Sequence, residues 1–463
     1  MPAKHSSSKE SNNDQPTRQT ALLKAFFCTI KHYGGNVKSL FGGVQDPRNQ
    51  NLITYPMIDL LFTGTFMFFC CLGSRRGIQA KLRDNGPSQD KYGALFGVEM
   101  IPHGDTLNYG FRHVNVDEVQ EIDCSLVEDL IRMKVLYPYR LLGVYYLVAI
   151  DGTGVITYHQ RHCKHCLKKK LSNGETLYYH PVLEAKLVAS NGFAFSMMTE
   201  FIENADLSGD KQDCELKAFY RLSRRLKERF PRLPMCLLLD GLFAGGPTFK
   251  IAKEYNWKYL IVLREADLVN LHRSYNVVLP NLPENYKKVC KGKKGQIVQE
   301  FHWAEDLVYT DSQNCQYSLN VIEFLERQPD SHGQIQTLHY KWITNFTVTS
   351  YNIDGLANQG ARLRWKIENE GFNVQKNNGL NLEHVYSEDP NSSKVFYLLM
   401  QLAYSLYQLM EKGNLLRDAF PKGWDAAKNL AFLMLEAWRN LVISADELLH
   451  LSDGKFQIRF NTS

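Results

Sequence analysis

The chain has 463 residues, of which 44% are hydrophobic and 22% charged, and its net charge is only +5. That balance reads as soluble and globular rather than disordered and allows two or three domains, and so small a net charge leaves any nucleic-acid affinity to local basic patches. Its 10 cysteines are scattered, with no secretory apolar segment ahead of them, so reduced thiols in the cytosol are expected and metal binding is the exception to look for.

Residues 1–18 are polar and expected to form a disordered tail without the apolar core of a signal peptide. Residues 19–140 read as a helical N-terminal domain: "TALLKAFFCTIKHYG" and "NVDEVQEIDCSLVEDLIRMKVL" carry apolar residues at helical spacing. This domain is a candidate DNA-binding module, but it has no helix-turn-helix spacing, and a plain packing domain is the equal alternative. The segment "MIDLLFTGTFMFFCCLG" resembles a membrane span, but Asp59 interrupts it. Its uncharged part, Leu60 to Ser74, falls short of the roughly 20 residues a span needs. A buried helix is expected, with no membrane association.

From Tyr145 the period changes. "YYLVAIDGTGVITYH", "TLYYHPVLEAKLVAS" and "FAFSMMTEFIE" read as three antiparallel strands, with Asn191-Gly192 as a hairpin turn. A helix, the apolar strand "MCLLLDGLF", a second helix and the strand "KYLIVLRE" follow, completing a first core segment over 141–266. Residues 267–336 read as a β-rich insertion. Residues 337–390 return to the core through "LHYKWITNFTVTS" and the helix "GLANQGARLRWKIENEGFNVQKN", and 391–463 form a helical C-terminal region. The expected class is α/β, with a mixed sheet whose element order suits an RNase H-like core.

Two of the apolar strands each present one Asp followed by Gly: "VAIDGTG" at Asp151 and "LLLDGLF" at Asp240. An Asp among aliphatic residues is costly to ionise without a partner, and the Gly lets a bulky ligand approach the backbone. One such Asp would be read as a strand-end cap. Two in the same context favour a metal. Glu368 in "RLRWKIENEGF" is the candidate third carboxylate; it shares a helix face with Arg364, and Glu370 is its rival.

The set Asp151, Asp240 and Glu368, with "RWKIE" around the Glu, resembles the DDE transposases of bacterial insertion sequences. More narrowly, it is similar to the cut-and-paste group marked by Tyr-x2-Arg-x3-Glu-x6-Lys. Asp240 lies 89 residues after Asp151 and Glu368 lies 128 after Asp240. The second gap fits a β-rich domain inserted before the Glu helix. The signature Tyr position holds Ala361 and the Lys position Gln375, so Arg362, Arg364 and Lys376 stand as substitutes for contacts to DNA phosphates.

The resemblance implies two-metal phosphoryl transfer with Mg²⁺ or Mn²⁺ at Asp151, Asp240 and Glu368. It implies cleavage at transposon ends followed by strand transfer into target DNA, by a homodimer on DNA in the cytoplasm, associated with the nucleoid. Some members flip a base with an aromatic of the inserted domain. Trp303 in "FHWAED" is the candidate wedge here, and a structural Trp is the favoured alternative.

Cys163 and Cys166 follow the first strand in "RHCKHCLKKK", His180 lies in the second, and Cys214 follows the third. In an antiparallel start these four meet at one sheet edge and would make a structural Zn²⁺ site; half-buried reduced thiols are the alternative. Such an ion would staple the hairpin carrying Lys164, Lys168, Lys169 and Lys170, which could follow a phosphate backbone. "RRLKERFPR" reads as a solvated helix face, and "KKVCKGKKG" as a DNA-facing loop. The competing functions are another RNase H-like metal nuclease and a non-catalytic, zinc-stapled DNA-binding protein.

Overall fold

In the computed structural model the described residues are 14–83, 86–204, 212–292, 295–330, 332–417, 419–421, 423–424 and 426–460. Helices fill the N-terminal part: α1 (Asp14–Gly34), α2 (Val37–Phe41), α3 (Met57–Phe69), α4 (Arg75–Lys81), α5 (Pro87–Phe96), α6 (Gly104–Phe111) and α7 (Val116–Arg132). Most of the expected disordered tail, 1–13, lies outside the described residues, and helix begins at Asp14, inside the stretch expected to be disordered. The span-like segment is α3, 13 residues long and buried on nearly every side. No described helix is long and apolar enough to cross a membrane. Phe26 packs edge-on against Phe69 at 4.8 Å, and Phe66 meets Trp438 at 4.6 Å, so aromatic surface surrounds α3. Burial pushes the Asp59 carboxyl of α3 up to about 7.

Strand then dominates. In chain order come β1 (Tyr146–Tyr158), β2 (Leu167–Lys170), β3 (Thr176–Val188), β4 (Ala194–Phe201), α8 (Glu215–Arg229), β5 (Met235–Leu239), α9 (Gly246–Glu254) and β6 (Lys258–Val262). They are followed by α10 (Val269–Val278), β7 (Tyr286–Lys291), β8 (Ile297–Thr310), β9 (Gln316–Pro329) and β10 (Ile335–Thr344). One mixed sheet joins them in the order β2-β3-β1-β5-β6-β10-β9-β8-β7, with β4 also on β3. β1, β3 and β4 are antiparallel neighbours, whereas β1–β5 and β5–β6 are parallel. All five residues of β5 are buried, as expected of a parallel strand covered on both faces. Gly192 supplies the left-handed turn, φ 87°, between β3 and β4.

The segment expected to be β-rich, 267–336, opens with the helix α10 and then forms the meander β7–β9, which pairs onward to β10. "KKVCKGKKG" is therefore mostly strand: Lys287 to Lys291 belong to β7, and Lys293 and Lys294 lie outside the described residues.

After β10 the chain winds through the helical turns Gly355–Gly360, Ala361–Trp365 and Ile367–Phe372, then α11 (Asn373–Asn377), α12 (Pro390–Lys412), α13 (Ala427–Asn440) and α14 (Ala445–His450). The turns around Arg364 and Glu368 alternate between wide π-type and tight 3₁₀ winding, an irregularity frequent at functional sites. The chain divides into two compact units, one of 1–130 with 373–461 and one of 131–372. The helices of 19–140 and 391–463, expected as separate regions, largely fall within the first. The second holds the whole sheet.

Candidate carboxylate site and cysteine cluster

β1 enters the site through Leu147, Val148, Ala149 and Ile150, all fully buried, and then presents Asp151. Its parallel partner β5 pairs up to Ala149↔Leu238. Continuing that register by two residues brings Asp151 beside Asp240. β5 ends at Leu239, and Asp240 caps the following turn, accepting a 2.6 Å bond from the Leu242 N–H. Asp151 accepts a 2.9 Å bond from the Gly152 N–H. Asp240 thus makes the local bond of a strand-end cap, whereas Asp151 lies within β1, which runs on to Tyr158.

Glu368 arrives from the helical turns after β10. The Nη1 of Arg364 donates to Glu368 Oε1 at 2.8 Å and reaches Asp151 Oδ2 at 3.5 Å. One guanidinium, almost wholly buried, therefore ties two of the three acids together. Burial pushes the Asp151 carboxyl up to about 7; Arg364 opposes that rise, and Glu368 and Asp240 add to it. On the far side, Arg264 lies 3.9 Å from Asp240 and pairs more closely with Asp267 at 2.9 Å.

The glycines after the two Asp residues have a different role from the one expected. A methyl group built on Gly152 would lie 2.2 Å from Glu215 Oε1, and one on Gly241 would lie 2.2 Å from Asp267 Oδ2. The space they clear is filled by neighbouring carboxylates and by Arg264. Glu215, in the first turn of α8, is thus a fourth acid at the site. Burial raises its carboxyl first, and the charge of Asp240 adds to that. Sequence reasoning missed it; the only hint was an acid beginning the helix after the third core strand.

Behind Asp151 the sheet is charged but closed. Asp151 faces Glu184 of β3 across the antiparallel pair. Fully buried Glu184 accepts a hydrogen bond from Ser196 and a 2.7 Å bond from Thr199, and lies 3.6 Å from Lys186 Nζ. Gly371 lets the Glu368 helix settle onto the Lys186 stem.

Asp151, Asp240, Glu368 and Glu215 share one region, yet they are not drawn together tightly. Among the described residues, the His, Cys, Asp or Glu ligand atoms that lie within 4.8 Å of one another in a group of three or more are those of Cys163, Cys166 and His180. The oxygen donors suit a hard divalent cation, and the region in which one would be held by Asp151 and Glu368 now receives the cation of Arg364.

The cysteine cluster is compact and could hold a metal ion. Cys163 Sγ lies 3.5 Å from Cys166 Sγ, and His180 Nε2 lies 3.4 Å and 3.2 Å from the two sulfurs. Cys214 is not part of it. It is the exposed cap residue of α8, and its backbone N–H is bound to its neighbour Asp213. The four-ligand expectation is corrected to three because the chain enters α8 with Cys214 turned to solvent.

The expected DNA contacts are scattered. Arg362 is committed to Glu326 through a forked pair at 2.9 and 3.2 Å. Lys376 belongs to the other unit, where it pairs with Glu383 at 2.8 Å. Lys164, Lys168 and Lys169 are exposed, the latter two on the edge strand β2. Trp303 is only 4% exposed, so it is core and not a wedge; Trp365, one residue after Arg364, is 47% exposed. No protein-family model matches the chain, and no curated protein matches its sequence.

Proposed function

We propose that the chain is a transposase-type enzyme that cleaves DNA strands and transfers them with the help of divalent cations. The observation that carries this reading is that Asp151, within β1, and Asp240, just past the parallel neighbour β5, share one region with Glu368, which Arg364 ties to Asp151. The strand order β4-β3-β1-β5-β6, antiparallel then parallel, supports an RNase H-like core. The two-residue Asp register and the "RWKIE" turn support the likeness to insertion-sequence transposases.

Asp151, Asp240 and Glu368 would hold Mg²⁺ or Mn²⁺, which when bound activates the attacking water or 3′-hydroxyl and stabilises the leaving oxygen. Burial, with Glu368 and Asp240 adding to it, raises the Asp151 carboxyl to about 7 against the opposing Arg364, and added positive charge favours its ionised form. Arg364, released from the two carboxylates, is then placed to meet a phosphate oxygen with its forked donors. Lys164, Lys168 and Lys169 supply a sequence-independent backbone contact. The reading implies a homodimer on transposon-end and target DNA, in the cytoplasm with the nucleoid.

A second reading, a DNA-binding protein that does not cleave, is favoured by the wider spacing of the carboxylates and by the Arg364 bridge. A nicking assay on duplex DNA drawn from the flanks of the gene separates the two. Mg²⁺-dependent cleavage lost in Asp151→Asn, Asp240→Asn and Glu368→Gln is expected. Binding without cleavage by the unaltered chain rejects the enzymatic reading, and cleavage without sequence preference points to a general metal nuclease.

A further inference from the structure

We propose that Cys163, Cys166 and His180 bind one zinc ion as a Cys₂His site that clamps the loop after β1 to β3. Two sulfurs each about 2.3 Å from a tetrahedral ion stand about 3.8 Å apart, and a sulfur and an imidazole nitrogen stand about 3.6 Å apart. The three observed separations, 3.5, 3.4 and 3.2 Å, lie within a few tenths of an ångström of those edges. A disulfide would need about 2.05 Å between the sulfurs, and both thiols are free. The donors are two thiols and an imidazole, a soft set that selects zinc over magnesium.

The surroundings fit a clamp. Cys166 is buried and Cys163 half-buried. The Cys163 N–H points at Cys166 Sγ from 3.4 Å, the kind of donor that steadies a thiolate. The loop is held from behind by Asn204, which donates to the Cys166 carbonyl at 2.9 Å, while the Asn204 carbonyl lies 2.8 Å from His165 Nδ1. His180 is the strand partner of Ile156, five residues beyond Asp151, or roughly 15 Å of strand. The ion is therefore separate from the carboxylates. It is structural, and it fixes the start of β2 and with it the lysines 168–170. Three protein ligands come from the described residues.

The test uses the full chain, free of any affinity tag and purified without chelator. Elemental analysis is expected to find one zinc per chain, lost in Cys163→Ser and His180→Ala and kept in Cys214→Ser. Replacement by Co²⁺ is expected to produce thiolate-to-metal charge-transfer absorption, again absent in Cys163→Ser. Because a ligand variant can fail to fold, the unaltered chain is also stripped of metal and retitrated with zinc. A saturable rise in melting temperature at one equivalent supports the site. No zinc in the native preparation together with no response on retitration overturns it, as does a Cys163–Cys166 disulfide in fresh, unoxidised protein. Retention of zinc by Cys163→Ser overturns the ligand assignment.

Discussion

The Arg364 guanidinium stands 3.5 Å from Asp151, a residue 213 positions earlier in the chain, while also gripping Glu368 at 2.8 Å. A permanent cation so placed does part of what a divalent ion would do. It offsets the repulsion between Glu368 and Asp151, whose carboxyl burial has already made hard to ionise. Removing it leaves that repulsion uncompensated. Arg364→Gln is expected to destabilise the chain in metal-free buffer by on the order of 2 kcal/mol, less than for a wholly buried pair because Glu368 is partly in water. Millimolar Mg²⁺ should recover part of the loss. Thermal melts with and without Mg²⁺ check this, and a variant whose melting point ignores the ion speaks against a shared cation site.

Protonation of Asp151 gives a second expectation. Its carboxyl is pushed up to about 7, whereas in the unfolded chain it titrates near 4. The folded state therefore holds a proton that the unfolded state releases as pH rises from about 4 to 7. Over that window this residue lowers stability, by on the order of 4 kcal/mol if it acted alone, and the loss is complete above 7. Asp151→Asn should remove that slope in metal-free urea titrations at pH 5 and 8. Cation binding has the opposite trend: each Mg²⁺ displaces the proton, so affinity should climb roughly tenfold per pH unit below 7 and level off above it. Calorimetric Mg²⁺ titrations across the same range read this directly.

Glu215 and Gly152 give a packing test. A side chain at 152 collides with the Glu215 carboxylate, so Gly152→Ala must push Glu215 aside or shift β1. A cost of about 1–3 kcal/mol is expected. Gly152→Ala combined with Glu215→Ala should recover most of it, since the obstructing group is then gone; the double-mutant cycle measures the coupling. Additive losses would show that the two residues do not touch. Glu215→Gln keeps the shape and removes the charge, so it should leave the fold intact.

How far the sequence discloses this arrangement depends on the kind of signal. β1, β5 and the Asp residues they lead into are legible because a run of aliphatic residues running into a charge has few uses. Glu368 is legible through Arg364 one turn earlier. The hairpin β3–β4 follows from Asn191-Gly192. What the pattern hides is partnership across space. Glu184 and Lys186 read as ordinary strand residues in "VLEAKLV", yet they form a buried pair that only the register with β1 and the approach of Gly371 explain. Glu215 and Cys214 are adjacent, and in the sequence the cysteine is the more conspicuous ligand. The first turn of α8 turns the acid inward and the thiol to water. Helical winding decides that, and residue type does not.

The two tryptophans separate core from surface. Trp303 lies in β8 at 4% exposure, so Trp303→Ala removes a large buried ring and should cost about 3–5 kcal/mol, visible as a large fall in melting temperature. Trp365 lies 47% exposed beside Arg364, with the guanidinium 5.4 Å from its ring centre. Trp365→Ala should leave the melting temperature nearly unchanged. If DNA passes the carboxylates, an unpaired base can stack on this ring, a contact worth about 1–3 kcal/mol. The substitution should then weaken binding of single-stranded or frayed-end DNA by roughly tenfold to a hundredfold while sparing intact duplex. Quenching of tryptophan fluorescence on adding single-stranded DNA, compared between the unaltered chain and the variant, measures it. Equal quenching in both would place the bases elsewhere, and a loss of duplex binding alone would give the ring a backbone-facing role.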